Sequence, residues 1–268
     1  MRRLLLALMP FLLVACTSGG ETAPPTASSL PKGDLAVLAE KIDQRRSELK
    51  TARFHTEGFA SDGASTEVRN VVDGTLRQDP EGVTGAMTMT MTTAGQNRKM
   101  DLVIAREGIY VHVEGAPMPA GKKWGLYTSG NNGEVTALLR GFGPGATVGA
   151  ELDYVQPRAA LIVSKAEEPL DGVAATRYDL VVDPLKMAKV IKDSDTQLQH
   201  TQLAEHGVTI NAVVWVDGAG TPLKAEYRFE LEGKVVKQST TRFTEWGGKL
   251  DVTLPPASET IPADQLPG

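Results

Sequence analysis

The sequence predicts an α+β fold in which a long antiparallel sheet is accompanied by a few helices. Between residues 223 and 232 every second residue is apolar and the intervening ones are charged, which is the period of a strand with one buried and one solvated face. The apolar stretches 208–216 and 235–246 flank this strand across short turns that contain glycine, as in an antiparallel meander. One amphipathic segment near the N-terminus has the longer period of a helix.

The N-terminus has the features of a secretory signal. An apolar run over residues 4–14 follows Arg2 and Arg3, and it is shorter than the roughly 20 apolar residues that span a bilayer. The run ends in the sequence Leu-Val-Ala-Cys at 13–16, which resembles a bacterial lipobox. The resemblance implies that residues 1–15 are a cleaved signal peptide and that the thiol of Cys16 carries lipid. The mature chain is then anchored to the cell membrane on its extracytoplasmic face. An ordinary signal peptide with an incidental cysteine is the alternative.

The net charge limits the classes of partner that the chain can bind, and the cysteine count excludes an internal disulfide. Removing residues 1–15 removes two arginines and changes the formal net charge from −5 to −7. Such a chain is poorly suited to bind nucleic acid, or to be held on an anionic membrane by charge alone. Cys16 is the only cysteine, so no internal disulfide supports the predicted fold.

The segment that follows Cys16 is predicted to be a tether, and the next segment a helix. Residues 16–33 are rich in Gly, Ser, Thr and Pro and have no hydrophobic period, which is typical of a flexible linker. Asp34 stands where an N-cap would, and apolar residues then recur at helical spacing at Leu35, Leu38, Ile42 and Leu49. We expect one amphipathic helix whose apolar stripe packs on the sheet.

After this helix, apolar residues recur at every second position, which is the period of a β-strand. Methionine alternates with threonine over residues 87–91, so a strand there places three methionines on one side. Residues 100–105 and 109–113 alternate as well and are predicted to form a hairpin with its turn at 107–108.

Short helices are predicted between the two groups of strands, at 134–140, 157–165, 184–192 and 197–205, although 197–206 is also compatible with a plain loop. The proline-rich C-terminal end, 257–268, is predicted to leave the sheet in an extended conformation.

The motifs that carry chemistry are weak. Ser47 and Lys50 match the S-x-x-K pattern of penicillin-recognising enzymes, but no partner motif accompanies them. The glycines at 141–145 match neither a dinucleotide nor a P-loop pattern. His200 and His206, beside Glu205, lack the spacing of a metal motif, so a solvated helix and loop is expected there. We therefore predict a protein that is not an enzyme, with no catalytic residue, no metal ligand and no cofactor.

The apolar face of the sheet is the remaining candidate for function. Methionine is unbranched and polarizable and lines surfaces that accept varied apolar ligands. The alternative is that these methionines are ordinary core residues under a helix. Trp124 and Tyr127, with residues 138, 139 and 142, flank a glycine-rich segment, 128–133, for which both a mobile lip and a plain surface loop remain open.

The order of a lipobox, a helix and a long meander resembles the mycobacterial LppX/LprG-type lipoproteins and, more distantly, the LolA/LolB lipoprotein carriers. The segments that support the resemblance most are 213–227, 246–248 and 251–256. It implies a single domain over 34–256. The implied fold is a strongly curved antiparallel half-barrel whose concave apolar face is covered by helices and encloses a cavity for acyl chains.

These observations together predict a membrane-anchored lipoprotein that binds a lipid or glycolipid for carriage or presentation across the cell envelope, with an envelope transport protein as a possible partner. The alternative is an anchored module for protein interaction or sensing, with a packed core and no ligand. The predicted lining residues of the cavity are Met87, Met89, Met91, Leu102, Ile104, Ile109, Val111, Tyr227 and Phe229.

Overall fold

The computed structural model describes residues 33–61, 67–79, 82–128 and 151–266. Three α-helices and twelve strands lie within these ranges. The helices are α1 Gly33–Leu49, α2 Pro184–Val190 and α3 Ser194–Glu205. The strands are β1 Thr51–Ser61, β2 Glu67–Asp79, β3 Gly82–Thr93, β4 Gln96–Ala105, β5 Gly108–Val113, β6 Trp124–Tyr127, β7 Ala160–Glu167, β8 Thr176–Val182, β9 Thr209–Val216, β10 Pro222–Leu231, β11 Lys234–Thr244 and β12 Thr260–Pro262.

All twelve strands form one open sheet, in the order β12-β6-β5-β4-β3-β2-β1-β11-β10-β9-β8-β7. Neighbouring strands are antiparallel except β12 and β6, which are parallel. Strands β1 to β6 form one meander and β7 to β11 a second. The two meanders join where β1 pairs with β11, from Arg53 opposite Thr244 to Ala60 opposite Lys237. The α+β class and the antiparallel sheet predicted from sequence are confirmed.

Helix α1 is the amphipathic helix that the sequence predicts. Leu35, Leu38 and Ile42 are buried in the same core cluster as the strands. The helix starts at Gly33, so Asp34 lies in its first turn rather than at the N-cap position. It ends where Lys50 adopts a left-handed backbone conformation (φ 61°).

Contacts with the turn between β9 and β10 hold α1 in place. The Nε of Arg45 donates a hydrogen bond to the Thr221 hydroxyl (3.1 Å). A Cβ on Gly220 would lie 2.9 Å from the Cβ of Lys41, so glycine permits this close approach, and its φ of 89° also favours glycine.

The hairpin and the meander that the sequence predicts are confirmed as β4–β5 and β9–β10–β11. The turn between β4 and β5 is formed by residues 106 and 107, one position earlier than predicted, since Gly108 already pairs with Ala105. In β3, buried methionines alternate with less buried threonines. The Thr88 hydroxyl bonds to the Asp101 carboxylate on the side away from the methionines (2.7 Å).

The helix predicted at 157–165 is wrong. Residues 160–167 form β7, which pairs with β8 and ends the sheet. Ile162 is buried while Leu161 is exposed, the alternation of a strand. The β-branched Ile162 and Val163 favour this conformation, and pairing with β8 outweighs the short helical pattern.

The helices predicted at 184–192 and 197–205 are confirmed as α2 and α3. Asp183 caps α2 by accepting a hydrogen bond from the Lys186 amide (3.0 Å), and Asp193 caps α3 through the Thr196 amide (2.8 Å). Pro184 stands at the first turn of α2, where the missing N–H costs nothing. None of the helices in the described ranges has the length and hydropathy that crossing a membrane requires.

The C-terminal segment differs from the prediction that it leaves the sheet. Residues 260–262 form β12, and Thr260 lies opposite Trp124 of β6. The Nζ of Lys122 donates hydrogen bonds to the carbonyls of Ser258 (2.8 Å) and Thr260 (2.9 Å). Buried Ile261 anchors the segment.

Several predictions concern residues outside the described ranges. These are the signal peptide, Cys16, the tether, the helix at 134–140, and most of the glycine-rich segment at 128–133 with residues 138, 139 and 142.

Candidate functional site

The apolar face is the side of the sheet that carries the core cluster. Seven of the nine predicted lining residues are buried on it, namely Met87, Met89, Met91, Leu102, Val111, Tyr227 and Phe229. Ile104 and Ile109 are partly buried and pack against the same cluster. All nine therefore lie on one face, as their alternation predicts.

Strand register gathers seven of these residues, with Met100, into one continuous methionine patch on β3, β4 and β5. Met89 lies opposite Met100, and Met87 lies opposite Leu102. Leu102 in turn lies opposite Val111, and Ile104 opposite Ile109. Residues directly opposite each other share a face and touch. Met91 lies opposite Arg98, but it stands two residues beyond Met89 on the same side of β3, so all eight side chains share one face. Met89, Met100 and Leu102 are each no more than 1% exposed.

Tyr227 and Phe229 do not join the methionine patch. Strand β10 lies four strand steps from β3, which at about 4.8 Å per step is roughly 19 Å along the sheet. They belong instead to an aromatic cluster with Tyr154 and His200. The Tyr154 ring centroid lies 5.2 Å from that of Tyr227, 6.2 Å from that of Phe229 and 6.2 Å from that of His200.

A buried polar cluster lies beside these rings. The Ser239 hydroxyl donates a hydrogen bond to Oε1 of Glu151 (2.6 Å), and the hydroxyls of Thr56 and Thr241 share another (2.6 Å). Oε2 of Glu151 is buried and has no hydrogen-bond partner among the described residues. Burial raises the pKa of the Glu151 carboxyl above its ordinary value, and the hydrogen bond from Ser239 opposes the shift.

Lys237 completes this part of the face. Its Nζ lies 5.1 Å from the Phe229 ring centroid and 5.6 Å from that of Tyr227, within cation–π range. Burial lowers the pKa of the Lys237 ammonium, and the neighbouring Glu151 carboxylate acts in the opposite direction. The face thus changes from apolar at β3–β5 to aromatic and charged at β10–β11.

A cavity of about 550 Å³ adjoins the aromatic cluster. It lies between α1, the short 3₁₀ turn Leu152–Tyr154, and α2 with α3. Tyr154, Met187 and Ile191 contribute to its wall, and Asp153 and Arg46 are among its polar residues. Burial raises the pKa of the Asp153 carboxyl, and Arg46 opposes that shift.

His200 also lines this cavity, and it is buried rather than solvated, so the prediction of a solvated segment is wrong at this residue. Its Nδ1 lies 2.9 Å from the Thr196 carbonyl, while Nε2 has no hydrogen-bond partner in the part of the chain that the structure describes. Burial lowers the pKa of the imidazole, which favours the neutral ring with its proton on Nδ1.

The opposite face of the sheet is polar. His55 lies between the carboxylates of Asp73 (2.7 Å) and Glu57 (3.2 Å), and the bond to Asp73 raises the imidazole pKa most. Arg177 bonds to Asp179 and Glu168. This face is mostly solvated, as the alternation in β10 predicts, but Trp215, Val103 and Tyr110 on it are buried.

The weak chemical motifs are not brought together into a site. The Ser47 hydroxyl donates a hydrogen bond to the Gln44 carbonyl of its own helix (2.7 Å), and Lys50 is exposed at the end of that helix. Within the described ranges no group of three or more His, Cys, Asp or Glu residues is placed to hold a metal ion.

Three solved structures resemble the chain in part. MucB, in complex with MucA(peri), aligns with a TM-score of 0.34 and 11% identity over 84% of this chain and 61% of the MucB chain, so this chain spans about three fifths of that length. A DUF1329 family protein from Desulfovibrio piger aligns with a TM-score of 0.31 and 12% identity over 84% and 95% of the two chains. A β-barrel-like DUF1849 protein from Brucella abortus aligns with a TM-score of 0.22 and 9% identity over 73% and 95%.

No protein-family model matches the chain, and no curated protein matches it in sequence. The chain is therefore assigned to no family.

Sequence reasoning missed Glu151, Tyr154, Lys237 and Ser239. For two of them a signal was available, because Lys237 and Ser239 alternate with Gln238 inside the predicted strand 235–246 and share the face of Phe243. No local pattern marks Glu151 and Tyr154, which reach the face from a 3₁₀ turn and the residue before it.

Proposed function

We propose that this protein is a non-enzymatic, membrane-anchored lipoprotein that binds a lipid or acylated molecule on the apolar face of its sheet. The observation that carries the proposal is the methionine patch, in which three adjacent strands present eight apolar side chains side by side. The open order of the sheet supports a half-barrel around this face. In this proposal, helices cover the concave side of the half-barrel. The sequence resemblance to LppX/LprG-type lipoproteins and LolA/LolB carriers supports the same function.

Burial of acyl chains supplies the binding energy in this proposal. Each CH₂ group removed from water contributes about 0.8 kcal/mol, so a 16-carbon chain contributes about 12 kcal/mol before the cost of association. Methionine side chains adjust to chains of different shape because they are unbranched and polarizable. The methionine patch then binds the chain without a catalytic group.

Native mass spectrometry tests the ligand. We would express residues 17–268, which retain every described residue, in a host that supplies lipids, and compare Ile104→Lys with Val71→Lys. Ile104 lies in the methionine patch, whereas Val71 is exposed on a neighbouring strand opposite Thr90, on the polar face. We expect a stoichiometric acylated adduct on the wild type and on Val71→Lys, and at least tenfold less on Ile104→Lys. A clean apo mass that also fails to take up added lipid contradicts the proposal.

Anchoring at Cys16 is tested separately. Radiolabelled palmitate should enter the full-length protein, and the Cys16→Ala variant should remain unlabelled and uncleaved. Equal labelling of the two proteins contradicts the anchor at this residue.

A protein-interaction module is the second candidate function. The near-complete burial of Met89 and Met100 favours it, because a packed core leaves such side chains no room for a ligand. If the mass spectrum shows no adduct, crosslinking of the anchored protein in its native envelope should yield a protein partner.

A further inference from the structure

The ammonium group of Lys237 lies on the face that the proposed function assigns to an acyl ligand. Its partners across the sheet are Phe229 on β10 and Ala60 on β1, so its side chain stands on the same side as the aromatic cluster. Lys237 is the fourth residue of β11, close to the turn that joins β10 to β11, and its side chain is only partly exposed. The ammonium therefore lies at one end of the apolar face rather than in its middle.

Other lysines near carboxylates form ion pairs, whereas Lys237 forms none with the described residues. Lys224 pairs with Glu226 (3.4 Å) and Lys123 with Glu259 (3.1 Å). In the part of the chain that the structure describes, no carboxylate oxygen lies within 4 Å of the Lys237 ammonium, and no acceptor receives its N–H groups. An ammonium has three donors, and the Nζ of Lys237 is not among the fully buried atoms that lack a partner, so solvent reaches it and an anionic group can take the place of that water.

Glu151 is the carboxyl group that interacts electrostatically with Lys237, but it is poorly suited to neutralise the cation. One of its oxygens is bound to Ser239, and burial favours its protonated form. His200 also lies in this region, and burial lowers the pKa of its imidazole, which favours the neutral ring. Among the described residues, no carboxylate paired with Lys237 therefore balances its charge.

We propose that Lys237 binds the anionic end of an acyl ligand, a carboxylate or a phosphate group, while the chain extends over the aromatic cluster toward the methionine patch. This inference rests on the proposed function and adds the chemical class of the ligand. The Phe229 and Tyr227 rings contact the first methylenes of the chain, next to the ammonium that holds its end. Strands β11 and β3 are three steps apart, about 14 Å, which an extended acyl chain spans.

Calorimetric titration with three probes tests the inference at pH 7.5. The probes are hexadecanoate, hexadecyl phosphate and methyl hexadecanoate, which share one chain length and differ in their end group. The proteins are residues 17–268 as wild type, Lys237→Met, Lys237→Arg and the control Lys234→Met, which removes an exposed lysine of the same strand.

We expect Lys237→Met to weaken binding of at least one anionic probe tenfold or more and to change the Kd of the methyl ester less than twofold. Lys237→Arg should retain most of the affinity, and Lys234→Met should match the wild type. If the Lys237→Met substitution weakens binding of hexadecanoate alone, the ligand is a carboxylate. If it weakens binding of hexadecyl phosphate alone, the ligand is a phosphate.

The inference is overturned if the ester and the anions lose affinity equally in Lys237→Met, or if the wild type binds the ester as tightly as both anions. In either case acyl binding itself stands. If none of the three probes binds the wild type, the proposed function fails, and this inference fails with it.

Discussion

The carboxyl group of Glu151 is buried beside the aromatic cluster, and the Ser239 hydroxyl donates a hydrogen bond to its Oε1. Buried polar groups are stable only when their partners are present, and Oε2 of this carboxyl already has none. The residue tolerates this position because its raised pKa favours the uncharged form.

Loss of the Ser239 hydroxyl should destabilise the protein. Ser239→Ala removes the hydroxyl that donates to Oε1 of this buried carboxyl, and we expect the free energy of unfolding to fall by about 1–3 kcal/mol. Urea unfolding followed by circular dichroism measures the change. Thr240→Ala on the same strand is the control, because that hydroxyl is partly exposed and makes only a long bond to Glu226 (3.5 Å). Equal effects of the two substitutions would contradict the role of the Glu151–Ser239 pair.

The pH dependence of stability should reveal the raised pKa of Glu151. At pH values below the ordinary glutamate pKa, 4.5, the carboxyl is protonated in both the folded and the unfolded chain. As the pH rises above that value, the unfolded chain loses the proton first, so the free energy of unfolding falls until the pH passes the raised pKa of the folded state. Glu151→Gln does not titrate and avoids this loss.

The stability of Glu151→Gln relative to the wild type should therefore increase between pH 4 and pH 7. Urea unfolding at both pH values measures this difference, and other titrating groups cancel because the two proteins share them. Glu232→Gln, at an exposed turn, reports the effect of removing a surface carboxylate. A difference for Glu151→Gln that stays constant or shrinks with rising pH would refute the assignment.

At the scale of elements, strands β1, β2 and β3 approach so closely at Gly74 that a side chain has no room. A Cβ there would lie 2.6 Å from the Phe54 ring, 2.7 Å from the Cβ of Met87 and 2.8 Å from the Ala86 carbonyl. The missing side chain lets the Phe54 ring pack next to the methionine patch. Glycine in the middle of a strand is costly by itself, so this position indicates a packing requirement.

Gly74→Ala should disturb the methionine patch. We expect a loss of about 1–3 kcal/mol in the free energy of unfolding, because the added carbon forces strand β2 or its neighbours to shift. Gly218→Ala is the control, since a Cβ there meets nothing within 4 Å. It should stay within about 1 kcal/mol of the wild type. Thermal and urea unfolding of the two variants measure the effect. If Gly74→Ala has the free energy of unfolding of the wild type, β2 can accommodate a Cβ at this position and the packing requirement is refuted.

At the scale of the whole molecule, two pairings tie the chain together. The two meanders meet at β1 and β11, and the C-terminal segment returns to β6, at the far end of the sheet. Leu266 supports this return, because its side chain lies against Gly125 of β6. The last described residues thus stabilise the N-terminal half of the sheet.

Removal of the C-terminal segment should weaken the whole domain. Truncation after Pro256 deletes β12 and the buried Ile261, whose loss alone is expected to cost about 2–5 kcal/mol. At roughly 2–4 °C per kcal/mol for a domain of this size, Tm should fall by roughly 4–20 °C. Truncation after Leu266 is the control. Equal melting temperatures of the two proteins would show that the β12–β6 pairing contributes nothing.

The sequence by itself determined the elements whose period is long and regular. Helix α1, the β4–β5 hairpin and the β9–β10–β11 meander follow from alternation that repeats over many residues, and strand geometry alone puts Met87, Met89 and Met91 on one side of β3. The side of the sheet on which each predicted lining residue lies could therefore be read before any pairing was known.

Only the tertiary structure decided which strands are neighbours and which polar groups reach the apolar face. Residues 160–167 become strand β7 because β8 offers them a pairing edge, and residues 260–262 become β12 because β6 does. Tyr227 and Phe229 are separated from the methionine patch by three strands and instead meet Tyr154, Glu151 and Lys237. Such contacts join residues distant in sequence, and their energies depend on packing and desolvation, which a local pattern does not encode.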